Sequence, residues 1–553
     1  MSRQRLPFLN WPRPHAGLLR SEILAGLSVG LMLIPQAVAY AALAGMPLVS
    51  GIYASLLPAL VAVLFSASTR LSVGPTALTA TLVAASLTGL AEPGSAQWVN
   101  LAVWLCIFTG ALQMLLGFAR FGWLLNLVSS PVLTGFTQAA AVFIIGSQLP
   151  ALLGMPEGWH SLTQPGQWRT SSLLIGLCSL AVLLLARRWR PAFPTVLVVV
   201  LLSAAVSNGL GLPDVAGATV GVLPQGLPDL YLPTALSWEG YKQLVLPTLV
   251  ITLVSFLETA SSAKVDNDQA GKTWDQDQDM IGQGLAKIAA GLSGAFPTSS
   301  SFSRSALNLF AGAQTGWATV VSVLTIWLSL LYLTPVLQPV PQSVLAAIVI
   351  AAVLSLIKPR VLLKIRTVDR VEAITALTTF VITLLSAPRL YWGVLAGVVM
   401  SLSHFLHTRL HPRIIEVGLH ADGSLRDRHL WHLPPLAPKL YALRMDAALD
   451  FAAAAAFEKN IMQAISQHPG LAHVCLFALP INRIDLTGTE TIARLEKTLQ
   501  EHGITLHISG MKLPVETVLR RAGCLAPNDH LKMYRTDAEA LTALQELKDP
   551  EAA

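Results

Sequence analysis

Long apolar runs separated by short polar stretches occupy the first three quarters of the chain. They lie near 23–41, 51–66, 73–90, 98–119, 131–152, 172–187, 194–210, 240–262, 279–296, 298–313, 316–336, 341–357, 368–387 and 390–410. A helix of about 20 apolar residues crosses the hydrocarbon core of a bilayer. The pattern therefore predicts about fourteen membrane helices, two of them short. Beyond Arg413 the pattern changes. Leu440–Met445, His473–Leu479 and Thr505–Ser509 read as strands, and Ala452–Gln467, Gly488–Glu501 and Val515–Arg521 as helices. Alternation of this kind gives an α/β domain. The expected layout is an N-terminal segment (1–22), a membrane domain (23–413), a linker (414–438), an α/β domain (439–545) and a tail (546–553).

Composition agrees with that division. Of 553 residues, 53% are hydrophobic and 12% charged, against about 25% charged in soluble proteins. A soluble enzyme and a disordered chain are both excluded. Up to Arg413 basic residues outnumber acidic ones by nine; from Ile414 acidic residues outnumber basic ones by three. Arg3, Arg5, Arg13 and Arg20 place the N-terminus inside by the positive-inside rule. Alternate loops carry Arg70, Arg120, Arg187/Arg188/Arg190, Lys264/Lys272, Lys358/Arg360/Lys364/Arg366/Arg370 and Arg409/Arg413, with Arg169 and Arg389 as exceptions. An even number of spans puts both termini in the cytoplasm, in a multi-pass inner (plasma) membrane protein. Orientation explains the basic excess, and no nucleic-acid partner is expected. Ala37-Val38-Ala39 looks like a signal-peptide cleavage site, but cleavage there would remove half of the first span. The four cysteines are scattered and imply neither a disulfide framework nor a metal site.

The chain repeats itself. The third segment begins Val73-Gly74-Pro75-Thr76 and the tenth Ala295-Phe296-Pro297-Thr298, 222 residues apart at the prolines. The same shift carries Gln36 onto Glu258. Seven spans per repeat is odd, so the second repeat is inverted. Short segments at matching places in two halves are the expected sign of a transporter site.

Three charges lie well inside apolar segments: Glu258, Lys287 and Arg304. Each costs about 2.5–3.5 kcal/mol at the bilayer centre, so each must face protein or water. Phe296 to Asn308 gathers five serines, a threonine and Arg304 at an expected helix start. Unpaired N–H groups, hydroxyls and a guanidinium make an anion site there. Gly74-Pro75-Thr76 aims a second helix start at the same point. Gly74 lets a ligand approach the backbone, and Pro75 sacrifices no N–H in a first turn. Serine packing between helices and an Arg304–Glu258 ion pair are the structural alternatives. Gln36 and Tyr40 share a helix face beside Pro35. A carboxylate at Glu258 repels an anion until protonated, which couples entry to protons. The same group could hold Na⁺ with Ser262 and backbone carbonyls. Lys287 reads as snorkelling to an interface or capping a pair. Gly271-Lys272-Thr273 fails as a phosphate loop because position 266 is Asp, and Asp266 to Asp279 reads as a solvated loop.

Ile34-Pro35-Gln36-Ala-Val-Ala-Tyr40-Ala, Gly51-Ile-Tyr53-Ala, Ser72-Val-Gly74-Pro75, Glu258-Thr and Phe302-Ser303-Arg304-Ser305 together resemble the sulfate permease (SulP) family of anion transporters, relatives of prestin and pendrin. The resemblance implies fourteen spans in two inverted repeats of seven. Segments 1–4 and 8–11 would form a core that moves as an elevator past a gate of segments 5–7 and 12–14. It implies an anion site between the third and tenth helices, drawn from Gln36, Tyr40, Gly74, Thr76, Ala77, Phe302, Ser303 and Arg304. Glu258, with Ser262 and Arg304, falls at the ion-coupling position. The tail resembles a STAS domain, with Asp485-Leu486-Thr487-Gly488 where anti-sigma-factor antagonists carry a phosphorylated serine. Leu486 cannot be phosphorylated, and Thr487 could cap the next helix instead. The expected function is proton-coupled sulfate uptake without an enzymatic step or cofactor. Na⁺-coupled bicarbonate, dicarboxylate or chloride transport are the alternatives, and a membrane-anchored signalling scaffold belongs to another class. A homodimer and a cytoplasmic STAS partner are further implications.

Overall fold

The computed structural model describes residues 7–546, apart from 13–14, 124–128, 156–167, 190–194, 215–218, 222–225, 270, 333, 388 and 527. Arg3, Arg5, Arg13, Arg190 and residues 547–553 lie outside the described residues. The chain divides into two compact units, Met1–Ser401 and Leu402–Ala553.

Every predicted apolar run contains a helix, and the third and tenth also contain a short strand ahead of it. In the first unit the elements are α1 (Ala16–Leu43), α2 (Leu48–Tyr53), α3 (Leu57–Phe65), β1 (Val73–Gly74), α4 (Ala77–Leu87), α5 (Ala96–Phe118), α6 (Ser130–Leu152), α7 (Thr170–Trp189), α8 (Thr195–Gly209), α9 (Trp238–Gln269) and α10 (Gln276–Leu292). They continue with β2 (Ser299–Ser300), α11 (Phe302–Phe310), α12 (Trp317–Tyr332), α13 (Thr334–Leu337), α14 (Gln342–Val353), α15 (Pro359–Val368), α16 (Arg370–Leu385) and α17 (Tyr391–Leu410), which runs past the boundary between units. Ala16–Leu43, Leu48–Phe65, Ala96–Phe118, Ser130–Leu152 and Trp238–Lys264 are each long and apolar enough to cross a membrane alone. The second segment is broken between α2 and α3. A Cβ on Gly51 would lie 1.9 Å from the Ala37 carbonyl, so only glycine lets α2 cross α1 this closely. At the α5–α10 crossing, Gly110 and Gly284 likewise bring backbone against backbone.

The packing maps onto itself when α1, α3, α4, α5, α6 and α7 are exchanged with α9, α10, α11, α12, α14 and α16. Thus α5 packs on α10 as α12 packs on α3; α1 on α12 as α9 on α5; α4 on α9 as α11 on α1; and α6 on α16 as α14 on α7. The strands that precede α4 and α11 pair antiparallel, Val73 with Ser300 and Gly74 with Ser299, so one repeat is reversed against the other. The fold is a polytopic helical membrane fold. The alignment of repeats differs from the proline match, however. Helices α4 and α11 start at Ala77 and Phe302, 225 residues apart. Pro297 precedes β2 rather than starting a helix, and Pro75 precedes the cap of α4, whereas α1 and α9 start at Ala16 and Trp238, 222 residues apart, the shift that relates Gln36 to Glu258.

The second unit holds a six-stranded sheet, ordered β4-β3-β5-β6-β7-β8, with β3 (Ile414–Leu419), β4 (Leu425–Asp427), β5 (Leu440–Met445), β6 (His473–Phe477), β7 (Thr505–Ser509) and β8 (Leu531–Tyr534). β5 to β8 are parallel, and β3 pairs antiparallel with β5, Ile414 opposite Met445. Helices α18 (Ala454–Gln467), α19 (Leu486–Glu501) and α20 (Leu513–Arg521) share a core with Leu443, Val474, Leu476, Leu506 and Ile508. α21 (Asp537–Gln545) packs on the other face with Ala442, Cys475 and Phe477. The period of two along each strand separates the two cores. Residues 414–438 are therefore not only a linker: β3 begins directly after Arg413, and its Ile415 and Val417 belong to the sheet's second core. Asp485, not Thr487, caps α19, its carboxylate accepting from the Gly488 N–H at 2.9 Å; Thr487 lies inside the helix.

Candidate functional site

The β1–β2 pair holds the N-termini of two short helices near one another. α4 has eleven residues and α11 nine, so each ends within the membrane domain rather than spanning it. The two starts differ in chemistry. Thr76 caps α4: its hydroxyl accepts from the Thr79 N–H at 3.3 Å, and the Thr79 hydroxyl faces back to the Thr76 N–H at 3.4 Å. Ser301 at the N-cap of α11 makes no such bond; its hydroxyl contacts that of Ser303 at 3.3 Å. The first-turn N–H groups of α11 are left without a side-chain cap, the condition in which a helix start attracts an anion.

Arg304 sits in that first turn and is 1% exposed. Its Nε donates to the Ser72 hydroxyl at 3.3 Å, and its Nη2 has no partner among the described residues. Taking a guanidinium out of water costs several kcal/mol unless its donors are met, so this group calls for an acceptor. Gly74 flanks it: a Cβ there would lie 3.5 Å from Nη2. Ser72 fixes the arrangement. Its N–H donates to the Ser305 hydroxyl at 3.0 Å, and its carbonyl accepts from the Ser301 N–H at 3.0 Å. Ser72 and Ser305 stand in the sequence motifs without a role assigned to them, and Thr79 is legible only through the capping-box spacing Thr76-x-x-Thr79.

Glu258, on α9, accepts from the Thr76 hydroxyl at 3.0 Å. It is within electrostatic reach of Arg304, but no ion pair within 4.0 Å joins them, so the structural-pair alternative for Arg304 is not realised. Ser262 lies one turn on and donates to the Glu258 backbone carbonyl at 3.2 Å; the side chains at the carboxylate are Thr76 and Ser299. Gln36 and Tyr40 are buried on one face of α1 with no hydrogen-bond partner among the described residues, Tyr40 in electrostatic range of Arg304 and Glu258. Ala77 is buried at the start of α4, whereas Phe302, 57% exposed, and Ser303 face open space. The site residues thus come from α1, α4, α9 and α11.

Two readings change. Lys287 does not snorkel: it is fully buried on α10, and its Nζ donates to Gln113 Oε1 on α5 at 2.6 Å. Nor is Asp266 to Asp279 a solvated loop. Asp266 pairs with Arg70 at 2.6 Å. Asp279, fully buried, accepts from the Ser68 N–H (2.9 Å), the Ser68 hydroxyl (2.6 Å) and the Trp274 indole (2.7 Å). Asn308 donates to the Arg70 carbonyl at 2.8 Å. The two carboxylates and the Asn308 amide anchor the loop that leads into β1 to α9, α10 and α11.

Residues 19–379 match the sulfate permease family and residues 436–540 the STAS domain. The chain belongs to the sulfate permease family. It is 32% identical to a probable sulfate transporter 4.2 of Arabidopsis thaliana, over 91% of this chain and 77% of that protein. A probable sulfate transporter of Mycobacterium tuberculosis is 30% identical, over 93% of this chain and 94% of that one. Among solved structures, the murine solute carrier 26 family member A9 anion transporter in the inward-facing state superposes with a TM-score of 0.86 at 20% identity, covering 98% of this chain and 94% of that one. The transmembrane domain of the cyanobacterial bicarbonate transporter BicA gives 0.60 at 18% identity, covering 70% and 99%. At these identities the structural likeness shows the fold alone. Membership places the chain among transporters of the sulfate permease family, with a C-terminal STAS domain.

Proposed function

We propose that this protein takes up sulfate by secondary active transport, coupled to protons through Glu258. The observation that carries the reading is Arg304: a buried guanidinium with an unpaired donor, in the first turn of a helix whose start has no side-chain cap. Sulfate offers acceptor oxygens to Nη2, to the α11 N–H groups and to the free Gln36 and Tyr40 side chains. The names of the Arabidopsis and mycobacterial relatives support sulfate over other oxyanions.

The Thr76–Glu258 contact supplies a coupling device. An ionised Glu258 draws the Thr76 hydroxyl proton to itself. A protonated Glu258 donates to Thr76 instead, and the Thr76 proton turns towards the anion. One proton thus removes a negative charge and releases a donor. A Na⁺ held at Glu258 would have Thr76 and Ser299, rather than Ser262, as its neighbouring hydroxyls. The helices group as an elevator requires: α5, α10 and α3 pack together, as do α6, α7, α14 and α16. In this reading the core group moves past the other in a homodimer whose termini face the cytoplasm, and the STAS domain meets a cytoplasmic partner there.

The test is labelled sulfate uptake by proteoliposomes with an acid exterior. Wild type should accumulate sulfate with the pH gradient. Arg304→Ala should lose uptake, and Glu258→Gln should exchange sulfate but ignore the gradient. Uptake that needs external Na⁺, or that prefers bicarbonate, would overturn the coupling or the substrate.

A further inference from the structure

Between α14 and α16 lies a stretch that reads in sequence as a basic loop. It folds instead as α15, none of whose ten residues is buried. Val361, Leu362, Ile365 and Val368 fall on one stripe, spaced i, i+1, i+4 and i+7. Leu362 and Ile365 are half-buried, and α15 packs on α16 and α6, whereas Val361, Leu363 and Val368 stay exposed, Val368 at 77%. Lys358, Arg360, Lys364, Arg366 and Arg370 are exposed, and none has a carboxylate within 4.0 Å among the described residues. Asp369, which precedes Arg370, caps α16 through the Val371 and Glu372 N–H groups.

Membrane orientation by itself requires positive charge in this loop, not a helix. A ten-residue helix with no buried side chain is marginal in water. An apolar stripe laid at the boundary of headgroups and acyl chains, with cations reaching the phosphates, is what stabilises such a helix. We propose that α15 is a docking surface for anionic phospholipid headgroups. The occupant follows from charge: five unpaired cations beside exposed aliphatic side chains complement a lipid that carries both a phosphate and acyl chains.

Native mass spectrometry of the full-length protein from mixed phosphatidylglycerol and phosphatidylcholine micelles tests this. Wild type should retain phosphatidylglycerol preferentially. The variant Arg360→Gln/Lys364→Gln/Arg366→Gln should weaken retention by roughly 100-fold, from about fivefold per basic residue. Arg360→Lys/Arg366→Lys should keep it, and Arg409→Gln/Arg413→Gln, which removes charge elsewhere, should leave it unchanged. The wild-type protein decides the matter even if the triple variant misassembles: its selectivity should fall as salt rises to about 0.5 M. Equal retention by the triple variant, salt-independent selectivity, equal retention of phosphatidylcholine, or displacement by glycerol 3-phosphate at lipid-like concentration would overturn the proposal, the last by showing a site for free phosphate.

Discussion

Replacing Thr76 by Val probes the contact on which coupling rests while keeping the side chain's shape. Three interactions of the hydroxyl disappear: the bond to Glu258 (3.0 Å), the cap to the Thr79 N–H (3.3 Å) and the contact with the Thr79 hydroxyl (2.8 Å). Loss of an N-cap costs about 1 kcal/mol. Loss of a hydrogen bond to a buried ionised group costs about 1.5–3 kcal/mol, so the single variant should lose about 3 kcal/mol. Glu258→Gln keeps an acceptor for Thr76 but removes the charge, so in that background the same change should cost about 1–2 kcal/mol. The cycle therefore predicts a coupling of at least about 1 kcal/mol, well above the roughly 0.3–0.5 kcal/mol scatter of independent sites. Equilibrium unfolding of the four proteins in mixed micelles, by increasing sodium dodecyl sulfate fraction, measures each term. Additive costs would show that Thr76 does not serve an ionised Glu258, and the proton-release device would fall with it.

Ser72→Ala leaves the Arg304 Nε without its acceptor while the two backbone contacts of residue 72 remain. Sulfate affinity by titration calorimetry should fall roughly 10-fold or more, and Ser72→Thr should restore it; unchanged affinity would remove Ser72 as the residue that positions Arg304. Asp279→Asn replaces an acceptor of three bonds by a group that also donates, and should cost about 2–3 kcal/mol of stability with sulfate affinity of the folded fraction unchanged. In the STAS unit, burial, then His473 and Lys532, push His507 down to about 4. Its unfolded value is about 6.5, so the unfolded chain binds more protons between those values and stability must fall as pH drops. About 2 kcal/mol should be lost from pH 7 to pH 5. Hydrogen exchange of β7 in the intact protein, corrected for intrinsic rates, should show this loss, and His507→Gln should flatten it.

The helical runs were legible because a bilayer demands a property summed over some twenty residues, which no single residue can mask. The STAS strands were legible where apolar positions alternate, as in Leu440–Met445 and Thr505–Ser509. Strands β3 and β4 escaped because a six-residue and a three-residue strand beside a Pro-rich stretch have too little pattern, and their stability comes from pairing, β3 with β5 and β4 with β3. The charged residues Glu258 and Arg304 stood out by their cost in lipid. Thr76 stood out as a helix start, but its pairing with Glu258 did not, nor did that of Ser72 with Arg304. Ser72 lies 232 residues from Arg304 and Thr76 182 from Glu258, contacts that only the tertiary fold creates. Asp266 and Asp279 misled for the reverse reason: an acidic run looks solvated unless the buried donors that receive it are known.

The inverted repeat explains both why the site exists and why it is unequal. A two-fold relation places two short helix starts against one antiparallel strand pair, and so concentrates two partial positive charges at one point. Symmetry alone would make both starts alike. The sequence breaks it by giving α4 its own cap, Thr76 with Thr79, while α11 receives Arg304 and no side-chain cap. The carboxylate is then delivered by α9 to the capped start, not to the open one. In the proposed coupling, a full positive charge on one side and a titratable negative charge on the other would let a single proton change the balance without disturbing the guanidinium. Transposing the two functions tests that logic: adding an acceptor cap to α11 by Ser301→Asp should weaken sulfate binding at any pH, because it supplies permanently the negative charge that Glu258 supplies only when ionised. Binding unaffected by that change would show that the α11 start does not face the anion.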